Sequence, residues 1–176
     1  MKITFAAPGL STDPTSREGK RARKVIGTCA KAVGKATLNS GAIVFTVDRA
    51  FDRRSSANAN AKALEALMVA LTDLSSLYLR CFPDTPALYD SGVYYRRTEI
   101  WDTVPALYAR GFGDCKSLAA CRVAELRRQG YACRPVFRFA TGPSMTMFHI
   151  LVMHSDGTFE DPSKILGMVA PQETPA

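Results

Sequence analysis

No stretch of the chain approaches the ~20 consecutive apolar residues of a membrane span. Met1 to Leu10 carries one lysine and no apolar run long enough for a secretory signal. The expectation is a soluble protein that is not secreted. No two of the five cysteines (Cys29, Cys81, Cys115, Cys121, Cys133) form a Cys-x-x-Cys pair and their number is odd, which argues against a disulfide framework or a zinc knuckle and for a reducing compartment. There is no internal repeat. Histidine is scarce, at two residues, His149 and His154. Aromatic residues do not interleave with the arginines, as platforms for single-stranded nucleic acid require.

What is present suits one globular domain. The 176 residues are 47% hydrophobic, enough for a core. The formal net charge of +7 favours solubility and attraction to polyanions and says nothing about fold.

Lys2 to Ala6 reads as a short strand, and Arg17 to Ala36 as a helix with two contrasting faces. Ala22, Val25, Ile26, Cys29, Val33 and Ala36 recur at helical steps, while Arg17, Arg21, Lys24, Lys31 and Lys35 form a basic stripe. Ala42 to Val47 is a strand, and the polar stretch Asp48 to Asn60 marks a boundary. Ala61 to Phe82 is the strongest helix, closed by Pro83 and Pro86. After an extended piece at Tyr94-Tyr95, a brief helix capped by Asp102 or Thr103 stops at Gly111, and a second starts with Asp114 as its N-cap and stops at Gly130. The period then changes to strands: Cys133 to Phe139, a Gly142-Pro143 break, Thr146 to His154, and Thr158 to Asp161. Helices followed by an antiparallel sheet indicate α+β. The expected organisation is a basic strand-helix-strand extension over 1–54, a core over 55–170 and a disordered tail over 171–176.

Three residues carry the chemistry. Cys115 opens the helix after Asp114, where the macrodipole and unpaired N–H groups favour a thiolate. Met147 to Met153 is apolar on both faces, as in a covered strand, so His149 is costly there without partners. It is either a satisfied core histidine or a functional one, and the hairpin that follows separates the two. With a three-residue loop Ser155-Asp156-Gly157, His154 pairs with Thr158 and Leu151 lies opposite Asp161, so Asp161 shares a face with His149. A two-residue turn would place them on opposite faces. In this reading Asp161 holds the His149 ring, whose other nitrogen faces Cys115, and Pro162 keeps Asp161 extended. His154 is expected to face away as an exposed residue beside the turn. The Cys115 N–H is the first oxyanion donor, Trp101 is a candidate for the second, and Gly113 would let substrate approach the thiol.

Gly111-Phe112-Gly113-Asp114-Cys115, the strand with His149, and Asp156-Gly157-Thr158-Phe159-Glu160-Asp161-Pro162 resemble the transglutaminase-like branch of the papain-like cysteine enzymes. More closely, Tyr94 to Met168 resembles small transglutaminase-like proteins of tailed phages and prophages. The resemblance places that family's Cys, His and Asp on Cys115, His149 and Asp161. It implies a nucleophile helix packed on an antiparallel sheet, a phage origin, and a location in the bacterial cytoplasm or the virion. One departure is the pair Lys116-Ser117, where acidic residues often follow the cysteine.

Two functions compete. The first is an enzyme without cofactor or metal, in which Cys115 attacks an amide or ester of a protein or peptide, hydrolysis being favoured over crosslinking. The second is a phage structural or assembly protein that retains an enzyme-like core. Nucleic acid is a third candidate partner, through the basic helix with Arg49, Arg53, Arg54, Arg96 and Arg97.

Overall fold

The computed structural model describes residues 2–47, 57–141 and 146–169, which form an α+β fold. β1 (Lys2–Ala6) leads to α1 (Arg17–Val33), whose N-cap Ser16 accepts the Gly19 N–H at 2.9 Å. Here the structure departs from the expected helix to Ala36. Gly34 takes φ 142, and the chain continues as β2 (Gly34–Asn39), which turns at Ser40-Gly41 into β3 (Ala42–Val47). Positive φ is cheap only for glycine, so Gly34 ends the helix. The alternating burial of β2 has the period of a strand. Lys35 therefore lies on β2, outside the helical stripe formed by Arg17, Arg21, Lys24 and Lys31.

β3 pairs antiparallel with β2 and β1, and β1 pairs in parallel with β5 (Trp101–Asp102), giving the order β2-β3-β1-β5. α1 lies against α2 (Ala57–Cys81), which is longer than the expected Ala61 to Phe82. Phe5, Phe45, Leu67, Leu71, Leu74, Val123 and Ile150 are buried in one hydrophobic cluster. The elements before residue 48 thus share a sheet and a core with those after residue 57, and do not stand apart as an extension. The reason is β5: a two-residue strand, too short to register as a sequence pattern, joins β1 to the second half of the chain.

The second half contains a 3-10 turn (Leu88–Asp90), β4 (Tyr94–Tyr95), α3 (Val104–Arg110), β6 (Phe112–Gly113) and α4 (Cys115–Arg128). The sheet β7 (Cys133–Thr141), β8 (Thr146–His154), β9 (Phe159–Glu160) follows, and α5 (Pro162–Ile165) comes last. α4 is buried along most of its length, between α2 and the face of β8 that carries Ile150 and Val152. The Gly142-Pro143 break, Arg49, Arg53, Arg54 and the tail from Pro171 lie outside the described residues. Among the described residues no helix is long and apolar enough to cross a membrane.

Candidate active site

The final hairpin has the register that brings imidazole and carboxylate together. The His154 N–H donates to the Thr158 carbonyl at 3.0 Å, the Gly157 N–H donates back to the His154 carbonyl at 3.0 Å, and Gly157 takes φ 84. This is a three-residue loop with glycine in the left-handed position. Val152 pairs with Glu160 and Met153 with Phe159, so the same register sets Leu151 opposite Asp161. His149 and Asp161 then share a face, and His149 Nε2 lies 3.0 Å from both Asp161 carboxylate oxygens. Asp161 Oδ1 also accepts the Lys164 N–H at 3.2 Å as the N-cap of α5, which fixes the carboxylate from both sides.

Cys115 lies near the point where this ladder stops. N–H groups two residues apart point to the same edge of a strand, so Ile150, like His154, directs its N–H toward the β9 side. Continuing the register would set Pro162 opposite Ile150, but proline has no N–H to donate, and the chain turns into α5 instead. The Ile150 N–H is near enough to the Cys115 thiol to lower it. Cys115 thus lies at the start of α4 near the backbone of Ile150, the residue after His149, whose ring is held by Asp161. With Nε2 occupied by Asp161, Nδ1 is the ring nitrogen left for the thiol.

The electrostatics of the thiol run against expectation. Burial pushes Cys115 up to about 11, and the Asp114 carboxylate adds to the rise. Lys116 and the N–H groups of Ile150 and Lys116 pull the other way without reversing it. A place in the first turn of a helix does not by itself yield a thiolate here.

Asp114 caps α4 as expected, accepting the Lys116 N–H at 3.1 Å. Burial raises its carboxyl, against the Lys116 ammonium and the N–H groups of Lys116 and Ser117. Lys116 is not at the cleft mouth. It is buried, its ammonium bonded to Asp114 and to the Thr98 carbonyl at 3.0 Å, and it lies 5.6 Å from the Trp101 ring centroid. The Lys116 cation offsets the carboxylate beside the thiol.

Three other expectations need correction. Trp101 is a core anchor, 6% exposed and stacked on Phe5 at 5.4 Å, so its place in the fold is explained without an oxyanion role. Gly113 serves packing: a Cβ there would come within 2.5 Å of Leu107 Cδ1 in α3 and 3.4 Å of Ser117 Cβ in α4. His154 faces away from His149, yet it is half-buried, with Nε2 3.1 Å from Glu160 Oε2. It belongs to a polar cluster that sequence reasoning missed. Arg122 Nε donates to Glu160 Oε1 at 2.6 Å, the Tyr89 hydroxyl donates to the same oxygen, and Arg122 also pairs with the buried Glu125. Strand alternation was the available signal, because it sets Glu160 on the face opposite Asp161, toward α4.

Tyr95 was also missed. It is half-buried, its N–H donates to the Leu166 carbonyl at 2.7 Å, and it pairs with Gly113 in the β4–β6 register. Burial raises its hydroxyl, and Cys115, Asp114 and Asp161 all add to the rise. One side chain thus senses Asp114, Cys115 and Asp161 together. Among the described residues no group of three His, Cys, Asp or Glu side chains is placed to hold a metal ion. Away from the site, Arg21 and Lys24 of the basic stripe line a groove of about 420 Å³ with Arg80, Arg127, Arg128 and one carboxylate, Asp73. No family model, no curated protein and no solved structure matches the chain.

Proposed function

We propose that the protein is a cysteine-nucleophile acyl-transfer enzyme of the transglutaminase-like, papain-like class, acting on amide bonds of a protein or peptide. The observation that carries this reading is the His149–Asp161 pair, Nε2 lying 3.0 Å from both carboxylate oxygens, on the strand whose Ile150 N–H acts on the Cys115 thiol. The thiol is neutral at rest, so the imidazole must act as a base during attack. Cys115 Sγ bonds to the carbonyl carbon as its proton passes to His149 Nδ1, and Asp161 stabilises the resulting imidazolium. The Cys115 N–H has no intrahelical acceptor and is free to bind the oxyanion. Collapse breaks the C–N bond, the leaving amine takes the proton from Nδ1, and a thioester remains. Water activated by the same imidazole gives hydrolysis; an amine gives transfer.

Intact-mass analysis after incubation with an activated acyl ester tests this. The expected adduct sits on Cys115, is absent in Cys115→Ala, and forms about 10²–10⁴-fold more slowly in His149→Ala. Equal acylation of Cys115 and the exposed Cys81 would contradict the reading. A second reading, a phage structural or assembly protein with an enzyme-like core, is favoured by the thiol's rise to about 11 and by the cationic groove on α1. Full biological function in Cys115→Ala would select it.

A further inference from the structure

The segment after β4 runs beside the nucleophile loop. The Tyr94 N–H donates to the Gly111 carbonyl at 3.2 Å, the Arg96 N–H to the Gly113 carbonyl at 2.9 Å, and Lys116 Nζ to the Thr98 carbonyl at 3.0 Å. Residues 94–98 thus follow residues 111–116 and end against the residue that follows the thiol. Arg96 and Arg97 lie on this segment and are exposed. The Arg96 guanidinium sits 4.7 Å from the Phe112 ring centroid, which holds it over the loop three residues before Cys115. Arg97 is close enough to the Tyr95 hydroxyl to lower it, and that hydroxyl also senses Cys115 and Asp161.

The charge balance of this rim is one-sided. Asp114 is engaged by Lys116, Asp161 by His149, and Asp102 by Arg110 at 2.8 Å. Glu99 is exposed on the same segment, yet among the described residues neither Arg96 nor Arg97 has a carboxylate within ion-pair distance. Two guanidiniums suited to bidentate carboxylate binding therefore stand unneutralised on the segment that runs along residues 111–116.

We propose that Arg96 and Arg97 select an acidic peptide as the acyl donor, binding carboxylates that flank the attacked carbonyl. This rests on the reading of Cys115 as the nucleophile. The rim raises the local concentration of anionic segments and is sensitive to salt.

Two alkylating reagents that differ in charge separate this proposal from the reading beneath it. Rates with iodoacetate and iodoacetamide are measured on the full chain by peptide mass spectrometry, with the exposed Cys81 as internal reference. The iodoacetate-to-iodoacetamide ratio at Cys115 should exceed that at Cys81 by about fivefold. It should fall toward the Cys81 ratio in Arg96→Gln/Arg97→Gln and in about 0.5 M salt, and recover in Arg96→Lys/Arg97→Lys. His149→Ala should slow both reagents alike and leave the ratio unchanged. Equal ratios at the two cysteines, or a ratio unmoved by the glutamine variant, overturn charge selection while leaving the nucleophile intact. Failure of both reagents to label Cys115, or no response to His149→Ala, overturns the nucleophile and the proposal with it. Poly-glutamate should protect Cys115 from iodoacetamide; protection by a DNA oligonucleotide and not by poly-glutamate would overturn the peptide class.

Discussion

Around Cys115 two residues set opposing fields. Asp114 raises the thiol and Lys116 lowers it, and burial, the largest effect, leaves it at about 11. Asp114→Asn keeps a capping oxygen but removes the charge, so the inflection of Cys115 alkylation should move below about 11; an unchanged or higher inflection would contradict this assignment. At Gly113 the constraint is steric. A Cβ would press on the fully buried Leu107, so Gly113→Ala should cost about 1–3 kcal/mol, read as a lower urea midpoint. A Leu107→Ala background should shrink that cost, and no shrinkage would mean the clash is not the cause. At this scale the His149–Asp161 pair and the Asp114 cap were legible in the sequence. It could not show that Lys116 folds back on Asp114 or that Gly113 faces α3, because both depend on contacts between separate elements.

The hairpin β8–β9 shows what an element decides. Parity of the loop was readable from Ser155-Asp156-Gly157, and the observed register follows from it. Deleting Asp156 should turn Asp161 to the other face and abolish the His149–Asp161 bond, seen as loss of the His149 Nε2 proton signal in NMR; persistence of that signal would refute the parity argument. Glu160, on the opposite face, ties β9 to α4. Burial raises its carboxyl, but hydrogen bonds from Arg122 and Tyr89, the Arg122 charge and the His154 contact outweigh it and hold the group below its ordinary 4.5. Its folded value lies below the unfolded one, so its stabilising effect is present above about pH 4.5 and is lost as pH falls through the folded value. Glu160→Gln should therefore destabilise the protein at neutral pH and much less near pH ~3. Equal losses at both would remove the ion pair from the account. Element ends were less legible: Gly34 closes α1 three residues before the expected end, because the apolar period of a short strand continued that of the helix.

For the whole molecule, the helices and the last sheet were evident from periodicity, and the joining of its halves was not. β5 joins β1 through a two-residue pairing, and Thr103 Oγ1 donates to the Ala6 carbonyl at 2.8 Å. Both contacts span about a hundred positions, beyond the reach of local pattern. Since one core serves both halves, urea unfolding followed by Trp101 fluorescence and by far-ultraviolet dichroism should give coincident single transitions. Two separated transitions would restore an independent N-terminal unit.

The central claim is that His149, held by Asp161, takes the proton of Cys115. The pH dependence of iodoacetamide labelling at Cys115, compared between the native chain and His149→Ala, tests it most directly. The account predicts a component of reactivity near neutral pH that disappears in His149→Ala, leaving only the rise toward the thiol's own value of about 11. Identical profiles in the two proteins would show that the imidazole does not serve the thiol, and would contradict the claim.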